Sequence, residues 1–91
     1  MYRAGGPVKT RDLLRTLEKL GFVASSPKGI HTVFRHADGA VVTIPTGRKE
    51  VPAVFLNAVI GQATARNLAT SDEFLRLLNA KPASEKAGLS A

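Results

Sequence analysis

The sequence predicts an α+β sandwich, an antiparallel sheet with helices on one face and the other face free. Three observations carry this. Leucines at helical spacing follow a short N-terminal stretch, an Asp-Gly turn separates two strand-like runs, and a proline leads into an apolar segment with no charge from Val51 through Ala65. The order is α-β-β-β-α with a short extra C-terminal helix.

Each element has its own reasons. From Thr10, a candidate N-cap, Leu13, Leu14, Leu17 and Leu20 fall on one helix face, while Arg11, Arg15, Glu18 and Lys19 fall elsewhere. Asp12 suits the positive end of the helix dipole. Gly21 should end the helix as a left-handed residue, with Phe22 folding back onto Leu17. A short first strand over 21–24 closes in the turn-rich Ser25-Ser26-Pro27-Lys28-Gly29. The second strand runs through Ile30-His31-Thr32-Val33-Phe34-Arg35. Asp38-Gly39 is a strong hairpin signal before the third strand, Ala40-Val41-Val42-Thr43-Ile44-Pro45, which stops at a proline. After the polar loop Thr46-Gly47-Arg48-Lys49-Glu50, Pro52 fits the first turn of a helix over about residues 52–63 or a little beyond. That helix is apolar nearly all round, so it must be buried on more than one side; the sheet covers one, and the rest is expected to meet another helix, a second copy or a partner protein. Thr70-Ser71-Asp72-Glu73 reads as a capping box opening a short helix with Phe74, Leu75, Leu77 and Leu78, expected to dock on the second helix. Residues 1–7 are expected to be disordered, 8–80 to form the domain, and 81–91 to be a flexible tail.

The 91 residues, 44% of them hydrophobic, suffice for one modest core. No apolar run approaches the roughly 20 residues of a membrane span. The start of the chain has no apolar signal-peptide region, so a cytoplasmic location is expected. With no cysteine, disulfides, thiolate chemistry and cysteine metal sites are excluded. No metal-ligand cluster, phosphate-cradling loop or carboxylate pair appears, so no cofactor is expected. The formal charge is +6, and it is one-sided: residues 1–49 hold nine Lys and Arg against three acids, residues 50–91 four against four. A one-sided basic surface suits a polyanion, most often nucleic acid.

Chemistry then falls to His31. Strand alternation puts Ile30, Thr32 and Phe34 on one face and His31, Val33 and Arg35 on the other, so packing of the first face would hold His31 toward solvent on a rigid element. His36, beside the hairpin turn, reads as structural or solvated. The basic residues Lys9, Arg11, Arg15 and Lys19 read most simply as a solvated helix face, with contact to RNA phosphates as the second choice.

The residues Lys9-Thr10-Arg11-Asp12-Leu13-Leu14 leading to Leu20-Gly21-Phe22, then Lys28-Gly29-Ile30-His31-Thr32-Val33-Phe34-Arg35-His36-Ala37-Asp38-Gly39, then Val42-Thr43-Ile44-Pro45, resemble the HicA family of bacterial toxins. The resemblance runs from about Val8 to Leu78. It implies a double-stranded-RNA-binding-domain-like fold, a ribosome-independent mRNA interferase with His31 as its catalytic histidine, and a HicB-like antitoxin that covers the site. Ile30 stands where the family usually has serine. Around His31, Lys9, Arg11, Lys28, Gly29, Arg35, Arg48 and Lys49 are the candidate RNA-binding residues. Lys28 is the nearest cation to support the reacting phosphate, because Arg35 lies about 13 Å along the strand at roughly 3.3 Å per residue. The alternatives are a catalytically inactive RNA-binding or antitoxin-binding module of the same fold, and a domain that meets only an acidic protein.

Overall fold

The computed structural model describes residues 2, 5–25 and 31–80. Its elements are β1 (Val8–Lys9), α1 (Thr10–Lys19), β2 (Val23–Ala24), β3 (His31–Arg35), β4 (Val41–Pro45), β5 (Glu50–Val51), α2 (Ala53–Ala65) and α3 (Ser71–Asn79). Strands β2, β3 and β4 form an antiparallel meander in that order, with Phe34 opposite Val42 and Thr32 opposite Ile44. Phe34, Val42 and Ile44 share one core with Leu13 and Leu17 of α1, Leu56, Val59 and Ile60 of α2, and Phe74 and Leu78 of α3. The helices therefore cover one sheet face. On the other, Val23 is 69% exposed and Val41 43%. This is the α-β-β-β-α arrangement of a double-stranded-RNA-binding-domain-like fold.

Local chemistry sets the joints. At the end of α1, Gly21 takes a φ of 97°. Its N–H donates to the Glu18 carbonyl at 3.0 Å, and the Phe22 N–H to the Leu17 carbonyl at 2.9 Å. These two bonds are the Schellman pair that satisfies carbonyls the helix leaves open. The end of α2 repeats the device with Asn67 at a φ of 58°, a conformation that asparagine tolerates. There the Leu68 N–H reaches the Ala63 carbonyl at 2.8 Å. The β3–β4 hairpin closes over Ala37, Asp38 and Gly39, with Gly39 at a φ of 105°. The His36 N–H meets the Ala40 carbonyl at 2.9 Å. The α3 capping box is complete, with Thr70 and Glu73 each accepting the other's backbone N–H.

Four features differ from the sequence-based expectation. Thr10 is not the N-cap of α1. Lys9 holds that position without a side-chain bond, and Thr10, the first helical residue, turns its hydroxyl to the Arg48 carbonyl at 2.6 Å. The loop before α2 is not wholly irregular, because Glu50 and Val51 pair with Lys9 and Val8 in a two-stranded ribbon. Pro52 is the N-cap of α2 rather than part of its first turn; the helix ends at Ala65, within the expected extent, burying Leu56, Val59, Ile60 and Ala63 while leaving Val54 68% exposed. Finally, α3 docks chiefly on α1 rather than on α2. Arg15 makes the reason visible: it pairs with Asp12 at 2.8 Å and donates to the Leu77, Leu78 and Ala80 carbonyls at the C-terminal end of α3. Cations favour the negative end of a helix dipole. Within the segment 1–7, Tyr2 exchanges hydrogen bonds with the side chain of Asn79, adding a second tie to the same end of α3.

Candidate functional site

The β3 strand positions His31 by alternation. Thr32 and Phe34 are buried, His31 and Arg35 are exposed, and Val33 between them is half-buried. His31 pairs with Pro45 at the end of the β3–β4 ladder. Among the described residues no side chain hydrogen-bonds to its ring. Lys28 and Gly29, the other members of the motif, lie outside the described residues, as does Ile30. Beneath His31 the Thr32 hydroxyl shares a hydrogen bond of 2.6 Å with that of Thr46, which ties β3 to the residue following β4.

His36 has a different setting. Its Nδ1 accepts the Asp38 N–H at 3.1 Å, so the remaining ring proton sits on Nε2 and donates to the Leu20 carbonyl at 2.8 Å. The ring meets Phe22 edge-on at 5.1 Å between centroids. It also lies against Gly21, where a Cβ would come within 2.9 Å of Nε2. His36 thus joins the hairpin turn to the end of α1, and both of its nitrogens are occupied. Arg66 fixes the same turn from the other side, donating to the Asp38 carbonyl at 3.0 Å.

The remaining candidate residues gather on the helix side of the ribbon. An open groove of about 1030 Å³ is lined by Lys9, Arg11, Arg48 and Lys49, with Pro7, Leu14 and Pro52 supplying apolar surface. Two bonds from one residue make it. The Thr10 N–H reaches the Lys49 carbonyl at 2.9 Å while the Thr10 hydroxyl holds the Arg48 carbonyl, so the loop after β4 is stapled across the start of α1. Glu50 is the one carboxylate among the described lining residues, and it faces Lys9 across the ribbon. A second hollow of about 660 Å³ runs between α1 and the sheet; Arg11 and Leu14 border both.

Four of the sequence-derived cations are therefore brought together, while Arg35 and His31 sit on the opposite sheet face and line neither hollow. Arg15, read from sequence as part of a solvated face, is spent on Asp12 and the end of α3. Sequence reasoning missed the Thr10 staple and the Arg66 clamp. The only sequence signal for the first was a pair of valines, Val8 and Val51, flanking the two basic segments. Among the described residues no group of three or more His, Cys, Asp or Glu side chains could hold a metal ion, and no helix is long and apolar enough to cross a membrane.

A meander with helices on one face, an exposed histidine opening the central strand and a basic groove beyond it define a small basic α+β protein of the double-stranded-RNA-binding-domain-like class. The family described as HicA toxin of bacterial toxin–antitoxin matches residues 10–64, more than half of the chain. The chain belongs to the HicA toxin family. It is the toxin of a toxin–antitoxin system, with an antitoxin as its partner. No individual curated protein matches it.

Proposed function

We propose that this toxin is a metal-independent endoribonuclease that cleaves mRNA in the cytoplasm, with His31 as its general acid or base and a HicB-like antitoxin as its inhibitor. The observation that carries the reading is the placement of His31, exposed on a rigid strand at the ladder's end, in a chain that belongs to a toxin family. The chemistry needs only groups that RNA and a histidine supply. A base takes the proton of a ribose 2′-OH, the 2′-oxygen forms a bond to the adjacent phosphorus, and the bond from phosphorus to the 5′-oxygen breaks. An acid then protonates the departing oxygen, leaving a 2′,3′-cyclic phosphate. Imidazole suits either proton transfer, because its reference pKa of about 6.5 leaves both forms populated near neutrality. Arg35, on the same sheet face, is the residue proposed to hold a neighbouring phosphate. Lys28, adjacent in sequence to the motif glycine, is the cation proposed to meet the extra charge on the reacting phosphorus. The exposed sheet face around Val23 and Val41, which flank Arg35 at the other end of β3 from His31, offers the antitoxin an apolar surface.

The test is induction of the wild type and of His31→Ala in matched bacterial cultures, following growth and mRNA integrity. Arrest with mRNA loss in the wild type alone is the expected result. Absence of arrest from either soluble protein would replace this reading with an RNA-binding or antitoxin-binding module lacking activity.

A further inference from the structure

We propose that the groove between the start of α1 and the loop after β4 is an RNA-anchoring site separate from the His31 face, and that it holds a single-stranded stretch flanking the cleaved bond. The inference rests on the reading of RNA as substrate and adds to it a second place of contact.

The groove has the composition such a strand requires. Arg11, Arg48 and Lys49 supply positive charge on its rim and form no salt bridge among the described residues, while Lys9 faces Glu50 and is partly offset by it. A phosphodiester strand brings one negative charge per nucleotide, so a row of cations matches it repeatedly rather than once. The apolar surface of Pro7, Leu14 and Pro52 points to a single strand rather than a duplex. A duplex keeps its base faces in the stack, whereas unstacked bases gain by packing against apolar side chains.

Position supports the same conclusion. His31 lies opposite Pro45, the last residue of β4, and Arg48 follows three residues later. With cross-strand Cα atoms about 5 Å apart and at most about 3.5 Å per extended residue, the rim begins within roughly 16 Å of His31. One strand can therefore occupy the groove and pass round the end of the sheet to His31 within a few nucleotides. The staple from Thr10 binds main-chain carbonyls of residues 48 and 49, so their side chains are free to grip without holding the loop in place.

The experiment uses the full chain carrying His31→Ala, to prevent cleavage, and a short labelled oligouridylate whose binding is followed by anisotropy over a salt series. Adding Arg48→Ala and Lys49→Ala together should weaken binding roughly tenfold at low salt and flatten the log–log salt slope by roughly 1.4, at about 0.7 per lost phosphate contact. Arg76→Ala, which removes an exposed arginine on α3, should change neither appreciably. Cleavage of the same RNA by the chain with His31 intact is measured in parallel. If RNA is cut but the groove substitutions bind like Arg76→Ala, the anchoring site is wrong and the nuclease reading stands. If RNA binds through the groove but is never cut, the anchoring site stands and the nuclease reading falls. If the groove substitutions leave RNA binding intact and abolish binding of a labelled oligo-aspartate peptide, the groove belongs to an acidic protein segment and the RNA inference is overturned.

Discussion

His31 opens β3 and His36 follows its last residue, so the two rings sit at opposite ends of one strand. His36 has both nitrogens committed, a T-shaped contact with Phe22 and a glycine against its Nε2 edge. His31 is exposed and carries no side-chain hydrogen bond among the described residues. The difference shows how one residue type is spent on architecture at one place and kept available at another. A histidine whose tautomer is fixed by two backbone groups cannot shuttle a proton without loosening the fold, whereas an exposed one on a rigid strand can.

The largest effect expected from this contrast is on chemistry. His31→Ala should lower RNA cleavage by about 10²- to 10⁴-fold, the usual range for a positioned proton-transfer group, while leaving the thermal unfolding curve unchanged. His36→Ala should do the reverse. It removes the partner of the Leu20 carbonyl and the packing on Phe22, at a cost of about 2 kcal/mol. That would appear as a Tm lower by roughly 10 °C in a domain of this size, with cleavage retained below the transition.

Gly21→Ala sharpens the comparison further. A left-handed non-glycine residue costs roughly 1–2 kcal/mol, and here the added Cβ also meets His36 Nε2 at 2.9 Å. Denaturant unfolding of Gly21→Ala, His36→Ala and the double variant should show a double cost smaller than the sum, because removing the ring relieves the contact. Strict additivity would mean that the contact carries no energy.

The smallest effect lies away from both rings, in the acid unfolding of the domain. Burial alone would raise the Asp12 pKa, but hydrogen bonds from Tyr2 and Arg15, with the charges of Arg15 and Arg11, hold it below its ordinary 3.8. Glu73 is likewise held low by its hydrogen bonds to Thr70. For a carboxyl depressed in the folded state the stabilisation is complete above the ordinary value and is lost as pH falls through the folded one. Stability should therefore be level around neutral pH and decline below about pH 4, and Asp12→Asn should make that decline shallower in pH-dependent unfolding.

The legible parts of this fold are those written in neighbouring residues. Gly21-Phe22, Asp38-Gly39 and the Thr70–Glu73 box each specify a turn or cap by their own backbone chemistry, and alternation alone placed His31 outward. The illegible parts join segments far apart in the chain. Strands of two residues, as in the ribbon of Val8–Lys9 with Glu50–Val51, carry no periodic signal. Arg15 has the same sequence appearance as Lys19, yet only Arg15 finds three helix-terminal carbonyls. The groove could not be read because its cations come from two basic segments that a threonine hydroxyl brings together. Lys28 and Gly29 remain proposals drawn from the motif.

The proposed role of His31 is to drive attack by a ribose 2′-OH without a metal. Its most direct measurement is the 3′-end chemistry of fragments made by purified protein in the presence of a chelator. The wild type should leave 2′,3′-cyclic phosphate ends, His31→Ala none, and a strand with 2′-deoxyribose at the cut position should stay intact. Ends bearing a 3′-hydroxyl, or cleavage that His31→Ala retains, would contradict it.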